Sequence, residues 1–158
     1  MTPREAAVAT VERVLASHPD VAARRLDGHR WSLALPGTVR WKVPVQLDVG
    51  TRTTVAISFL LRGPRPPHGD PAALHRLLLR KNLATRRLHF ALDGDDDVVL
   101  LGRLPTAAIS AEELEALLAE ILVVSDQAFE ALVHLGYPGV FPPLPAVAPP
   151  GRAGPERS

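Results

Sequence analysis

The sequence contains no cysteine, which removes disulfides, thiolate zinc sites, iron–sulfur clusters and cysteine nucleophiles together. Charge of one sign is lacking too. Eighteen Lys and Arg against 17 Asp and Glu leave a formal net charge of +1, so no strong field draws in a phosphate backbone or an anionic membrane. Aromatic residues are only 4% of the chain against 46% hydrophobic, so aliphatic side chains must build the core. No uninterrupted apolar run approaches the ~18 residues of a membrane span. Met1-Thr2-Pro3-Arg4-Glu5 carries an early acid with no apolar stretch behind it, and no secretory signal is read. With 158 residues, one cytoplasmic globular domain with its own core is expected.

What is present is strong patterning. Thr2, Pro3 and Glu5 form a helix-start signature, and Ala7, Val8, Val11, Val14 and Leu15 give the following helix one apolar face as far as about His18, where Pro19 stops it. From Arg30 the period changes to two. Trp31, Leu33 and Leu35 make one strand, and after Pro36-Gly37 the odd-numbered run Val39, Trp41, Val43, Val45, Leu47 and Val49 makes a second, both with their apolar side toward the core. Pro44 sits on the outward series, so its missing N–H is expected at solvent or a bulge. After Gly50-Thr51, Val55, Ile57, Phe59 and Leu61 alternate with Thr54, Ala56, Ser58 and Leu60, and this third strand is expected to add its odd-numbered stripe to the core. Residues 63–69 are rich in Gly and Pro and break regular structure. Asp70-Pro71 then opens a helix over residues 71–83, with Leu74, Leu77 and Leu78 inward.

Two short strands over 87–92 and 98–104 flank an Asp-rich turn, and the last helix has Ser110 and Glu113 as a capping box with Ile109 and Leu114 as its staple. Leu114, Leu117, Leu118, Ile121, Leu122, Phe129 and Leu132 form its buried stripe up to Gly136. Beyond Tyr137 prolines dominate. The division expected is a domain over 1–137 and a proline-rich, partly disordered tail over 138–158, in which Phe141, Leu144 and Val147 are the apolar residues. The order helix, three strands, helix, two strands, helix is α+β around one antiparallel sheet.

The segments Leu77-Leu78-Leu79-Arg80-Lys81-Asn82, Leu88-His89-Phe90-Ala91-Leu92-Asp93, Val99-Leu100-Leu101-Gly102-Arg103-Leu104 and Phe129 to Leu135-Gly136-Tyr137, in this order and with these gaps, resemble the YbjN-domain proteins of bacteria. The resemblance covers about residues 31–137. It implies the fold of type III secretion chaperones, with helices on one side of a curved antiparallel sheet. It further implies a role as a regulator of sensory transduction, without catalysis or a cofactor. The proline-rich 63–69 loop and the tail depart from that pattern.

Asp93, Asp95 and Asp97 have calcium-loop spacing, but Val98 replaces the needed glycine and Leu104 the closing glutamate, so a hairpin turn is the expected role. His68 and His75 lack accompanying metal ligands. Ser58, Ser110, Ser125 and Thr106 stand in no nucleophile motif. Trp31 and Trp41 both fall on apolar series and are expected in the core, while Asn82 and Arg103 are read as pairing with Asp93 or a helix end. Arg76, Arg80, Lys81, Arg86 and Arg87 are the one concentration of positive charge and the candidate partner-contact patch.

The function expected is a non-catalytic protein-binding module, chaperone-like or regulatory, forming a homodimer and presenting a sheet edge or helix face to an unknown protein partner. Two alternatives stay open. One is a small enzyme or ligand-binding protein whose pocket sets His89 or His134 against a carboxylate. The other is a weak nucleic-acid binder using the patch from Arg76 to Arg87. No cofactor, metal, nucleic acid or membrane partner is expected.

Overall fold

The computed structural model describes residues 1–64 and 70–139. His68, the core of the 63–69 loop, and the tail residues Phe141, Leu144 and Val147 lie outside the described residues. The first helix, α1 (Pro3–Ser17), starts on a complete capping box: the Thr2 hydroxyl accepts from the Glu5 amide at 3.1 Å, and the Thr2 amide donates to Glu5 Oε2 at 2.7 Å. Six strands follow as β1 (Ala22–Arg25), β2 (Arg30–Pro36), β3 (Lys42–Val49), β4 (Thr53–Leu61), β5 (Leu88–Leu92) and β6 (Val98–Pro105). Helix α2 (Pro71–Lys81) joins β4 to β5, and α3 (Ala111–Gly136) closes the fold. All neighbouring strands are antiparallel, in the order β1-β2-β3-β4-β6-β5.

The helices cover one face of this sheet. Trp31, Leu33 and Leu35 of β2 pair with Leu47, Val45 and Val43 of β3, all six buried. Leu114, Leu117, Ile121 and Leu132 of α3 close over them with Leu74 and Leu78 of α2 and Val11 and Val14 of α1. Fully burying each such side chain contributes roughly 1.5–3 kcal/mol, so this layer is the main folding drive.

Four features depart from the sequence reading, each for a physical reason. The first is β1, an extra edge strand whose four residues are all exposed. It has no apolar alternation to betray it and is held by its ladder to β2 and by Arg25, which ion-pairs with Glu12 of α1 and lies 5.1 Å from the Trp31 ring centroid. The turn into β2 is fastened by Asp27, whose carboxylate accepts from the His29 amide at 3.0 Å and Arg30 Nε at 2.6 Å and is held at a pKa of about 2, chiefly by the His29 amide.

The second is the facing of β4. Val49, buried, pairs with Thr54, and Leu47 with Ala56, so the even-numbered residues of β4 face the core. Thr54, Ala56 and Ser58 are fully buried, while Val55, Ile57 and Phe59 look outward. This corrects the expected stripe. Only Leu61 of that set goes inward, after a register shift between Phe59 and Leu61 that turns Leu60 inward as well. The buried hydroxyls are satisfied locally: Thr54 bonds Thr106 at 3.0 Å, Thr106 donates to the Gly50 carbonyl at 2.9 Å and Ser58 to the Pro44 carbonyl at 2.6 Å.

Third, β3 begins at Lys42 and not at Val39. Asp126 of α3 accepts from the Thr38 amide at 2.9 Å, the Thr38 hydroxyl at 2.8 Å and the Arg40 amide at 3.3 Å, pulling residues 37–41 onto the helix. That pinning turns Arg40 inward and leaves Val39 46% and Trp41 84% exposed, so Trp31 is a core residue and Trp41 is not. Arg40 Nη1 donates to the Phe59 carbonyl at 3.2 Å and Ser125 Oγ at 3.1 Å, and its guanidinium lies 4.9 Å from the Phe129 ring centroid. It fills the fork where β3 and β4 separate, their ladder stopping at Gln46–Ile57, short of Pro44.

Fourth, Asn82 pairs with neither Asp93 nor another helix end. Its side chain accepts from the Phe90 amide at 2.7 Å and donates to the Phe90 carbonyl at 3.1 Å, clasping the outer edge of β5 as a neighbouring strand would. Replacing Asn82 with alanine should cost about 1–3 kcal/mol through the two orphaned backbone groups. It should also raise self-association, because the edge is then open. Urea unfolding with light scattering on the same samples checks both; an unchanged midpoint would mean the clasp adds nothing. Arg103 stands exposed on the outer side of β6.

Candidate binding surface

The reversed facing of β4 gives the solvent side of the sheet an apolar centre. Phe59 pairs with Val99, which pairs with Ala91, and Ile57 pairs with Leu101, while Val55 continues the stripe toward Arg103. Around it stand Arg30, Gln46, Asp48, His89 and Arg103, the polar residues such a face ordinarily carries throughout. Phe59 is 43% exposed. Two shallow clefts lie on this face, one of about 330 Å³ between Pro44, Gln46, Ile57, Phe59 and Val99, the other of about 270 Å³ between Arg30, Gln46, Asp48, Val55 and Ile57. They share Gln46 and Ile57 and form one trough along β4. The signal that finds it is the apolar odd series of β4 itself, assigned in the sequence to the wrong side.

A third opening, about 170 Å³, lies between α1, the end of β2 and α3, lined by Val14, Leu15, Leu35, Leu118 and Leu122 with His18 and Glu115 3.6 Å apart at its rim. It is smaller than the roughly 300–1,000 Å³ of small-molecule sites and suits a single side chain.

The sequence-assigned residues distribute as follows. Arg76, Arg80 and Arg86 point to solvent, whereas Lys81 and Arg87 are half-buried toward α3, Arg87 pairing with Glu113 at 3.4 Å. Glu113 therefore completes an ion pair where a capping box was expected, although the Ser110 hydroxyl accepts from the Glu113 amide as the cap. Ser58, Ser110 and Thr106 have the structural bonds given above, and Ser125 accepts from Arg40. The carboxylates of Asp93, Asp95 and Asp97 come within 4.8 Å of one another. Asp93 accepts from the Asp95 amide at 2.9 Å and the Asp97 amide at 3.0 Å, and Asp97 from the Gly63 amide at 2.8 Å. Asp96 takes a φ of 60°. The Asp93 bonds close the turn, and the Asp97 bond ties it to the chain just after β4. His89 lies exposed on the outer side of β5, and His18 contacts Glu115 while His29 contacts Asp27 and Asp48, residues the sequence reading does not combine.

No helix among the described residues is long and apolar enough to cross a membrane. In comparison with known proteins, the chain is 29% identical over 136 residues to an uncharacterised protein of Mycobacterium tuberculosis, covering 81% of this chain and 73% of the relative. In fold it resembles the ExsC–ExsE complex, with a TM-score of 0.57 at 21% identity over 79% of this chain and 95% of that one. It also resembles the HopA1–SchA chaperone–effector complex, with a TM-score of 0.54 at 13% identity over 77% and 90%. The expected α+β architecture, chaperone-like with its helices on one face of an antiparallel sheet, is the observed one. Residues 34–134, spanning the sheet from β2 onward and nearly all of α3, match the family model described as "YbjN: Putative bacterial sensory transduction regulator", and the chain belongs to the YbjN family.

Proposed function

We propose that this protein is a cytoplasmic, non-catalytic protein-binding module, chaperone-like or regulatory, and that the outward trough on β4 receives its partner. The observation that carries the reading is the reversed strand: Val55, Ile57 and Phe59 are left facing water beside Val99 and Leu101, where polar residues would cost the fold nothing. An extended segment laid along β4 would set alternate side chains into the two clefts. Support comes also from the complexes whose fold this chain shares, one of them a chaperone with its effector. The homodimer belongs to the same reading, and a solution mass of about twice 17.0 kDa across a dilution series is its test.

The binding surface is tested with a photo-crosslinking residue placed at the exposed Gln46, which lines both clefts. Partner capture is expected to fall about thirtyfold in the Ile57→Ser/Phe59→Ser variant, equivalent to ~2 kcal/mol from a pair of apolar anchors. Thermal stability should hold, because neither side chain enters the core. Capture of the protein by itself alone, or capture indifferent to the two substitutions, would sink the proposal.

A further inference from the structure

Helix α2 is apolar on two sides. Leu74 and Leu78 are buried in the core, yet Leu79 and Leu83, four residues apart on the opposite side, are 70% and 89% exposed. The helical turn continues through Leu83, whose amide bonds the Arg80 carbonyl at 3.2 Å, so the two leucines form one ridge. Arg76 and Arg80 flank it along the helix and Arg86 follows, all exposed. No described carboxylate lies within ion-pair distance of these three arginines. The charge is also segregated along the chain. Between Pro71 and Leu92 there are five cations and no Asp or Glu, whereas the other 13 cations face 17 acids.

We propose that the outer face of α2 is a second docking site, for an acidic amphipathic helix of a partner protein. Apolar residues of that helix spaced i, i+4 would cover Leu79 and Leu83, and its carboxylates would pair with Arg76, Arg80 and Arg86. The leucines and the charge together select this occupant. A nucleic-acid backbone would neutralise the arginines and leave two leucines against phosphate, and a second copy docked symmetrically would set the three arginines against their own counterparts. The proposal rests on the protein-binding reading but uses a different surface, on the helical layer and not on the open face of the sheet.

The test uses the full-length protein and a fluorescein-labelled synthetic peptide of about 16 residues, roughly four helical turns, with Leu at i, i+4 and Glu between. Two controls are a scrambled peptide of the same composition and one with Lys for Glu. Anisotropy is expected to show binding of the Glu peptide only, weakened about tenfold by Leu79→Ser/Leu83→Ser and again by raising salt from ~0.05 to ~0.5 M. Arg76→Glu/Arg80→Glu should transfer the preference to the Lys peptide. Because Leu79 and Leu83 are solvent-facing, these variants keep the circular dichroism and melting temperature of the parent, which is measured alongside. Equal binding of the scrambled peptide, or indifference to the leucine substitutions, overturns the proposal. So does a dimer dissolved by those substitutions, or leucine-dependent binding of phosphatidylglycerol vesicles or a DNA duplex. The Ile57→Ser/Phe59→Ser variant should bind the peptide undiminished. If the peptide fails while crosslinking from position 46 still captures a partner, only the α2 proposal falls.

Discussion

Truncation of Leu117 to alanine is expected to destabilise the protein by about 3–4 kcal/mol, within the range for fully buried leucines. Leu117 is fully buried in the second turn of α3, and it rests over Gly102 of β6. A Cβ on Gly102 would lie 2.8 Å from Leu117 Cδ1 and 2.9 Å from Leu88 Cδ2, so the glycine is the hollow that lets helix and sheet approach. Gly102→Ala alone should therefore overpack the site and cost about 1–2 kcal/mol. The two changes should compensate. With Leu117 shortened, the closer of the two contacts is gone and the space it leaves lets the Leu88 side chain move off the new methyl group, so the double variant should be more stable than the sum of the single losses by about 1 kcal/mol or more. Urea unfolding of the four proteins measures that difference. Strict additivity would show that the two residues do not share the space.

The second large effect is expected at Asp126. Asp126→Ala should cost about 2–3 kcal/mol, since it removes the charged acceptor of three hydrogen bonds, from the Thr38 amide and hydroxyl and the Arg40 amide. It also frees the loop that holds Arg40 in the fork between β3 and β4. Burial lowers the Arg40 pKa, and the facing Asp126 charge works against that shift. For Asp126, partial burial pushes the pKa up, but the Thr38 amide and hydroxyl and the Arg40 and Val39 amides outweigh it and hold the pKa below its ordinary value. The sign follows. A carboxylate depressed in the folded state stabilises the protein above its unfolded pKa of about 3.9, and the contribution is lost as pH falls through the folded value. The wild type should thus lose stability on acidification below about pH 4 more steeply than the alanine variant. Parallel unfolding curves at neutral and acid pH would remove Asp126 from this role.

These residues also mark where the sequence was legible. Helix starts were, because Thr2 and Ser110 bond within three residues of themselves. So were the inward faces of β2 and β3, whose apolar alternation has a single polar counterpart. In β4 both series are compatible with a buried face. What decides between them is the Val49–Thr54 pairing, a matter of turn geometry. Trp41 continues an unbroken odd-numbered run and is expelled from it by Asp126, more than eighty residues later in the chain. No local pattern records such a contact. β1 was invisible because an exposed four-residue edge strand owes its existence to its neighbour. The arginines around α2 were legible as charge, whereas the ridge between them emerged only once the leucines of that helix were sorted into those facing the core and those facing water.

The Asn82 clasp has a consequence for stoichiometry. One end of the sheet is closed by a side chain, and among the described residues only β1 ends it without a partner on its far side. A sheet with one free end accepts a single addition and then stops. A foreign strand gives a one-to-one complex, and a second copy joined at the same end gives a pair with no free end remaining. Growth into a filament needs two reactive ends, and a half-buried asparagine amide is what withholds the second.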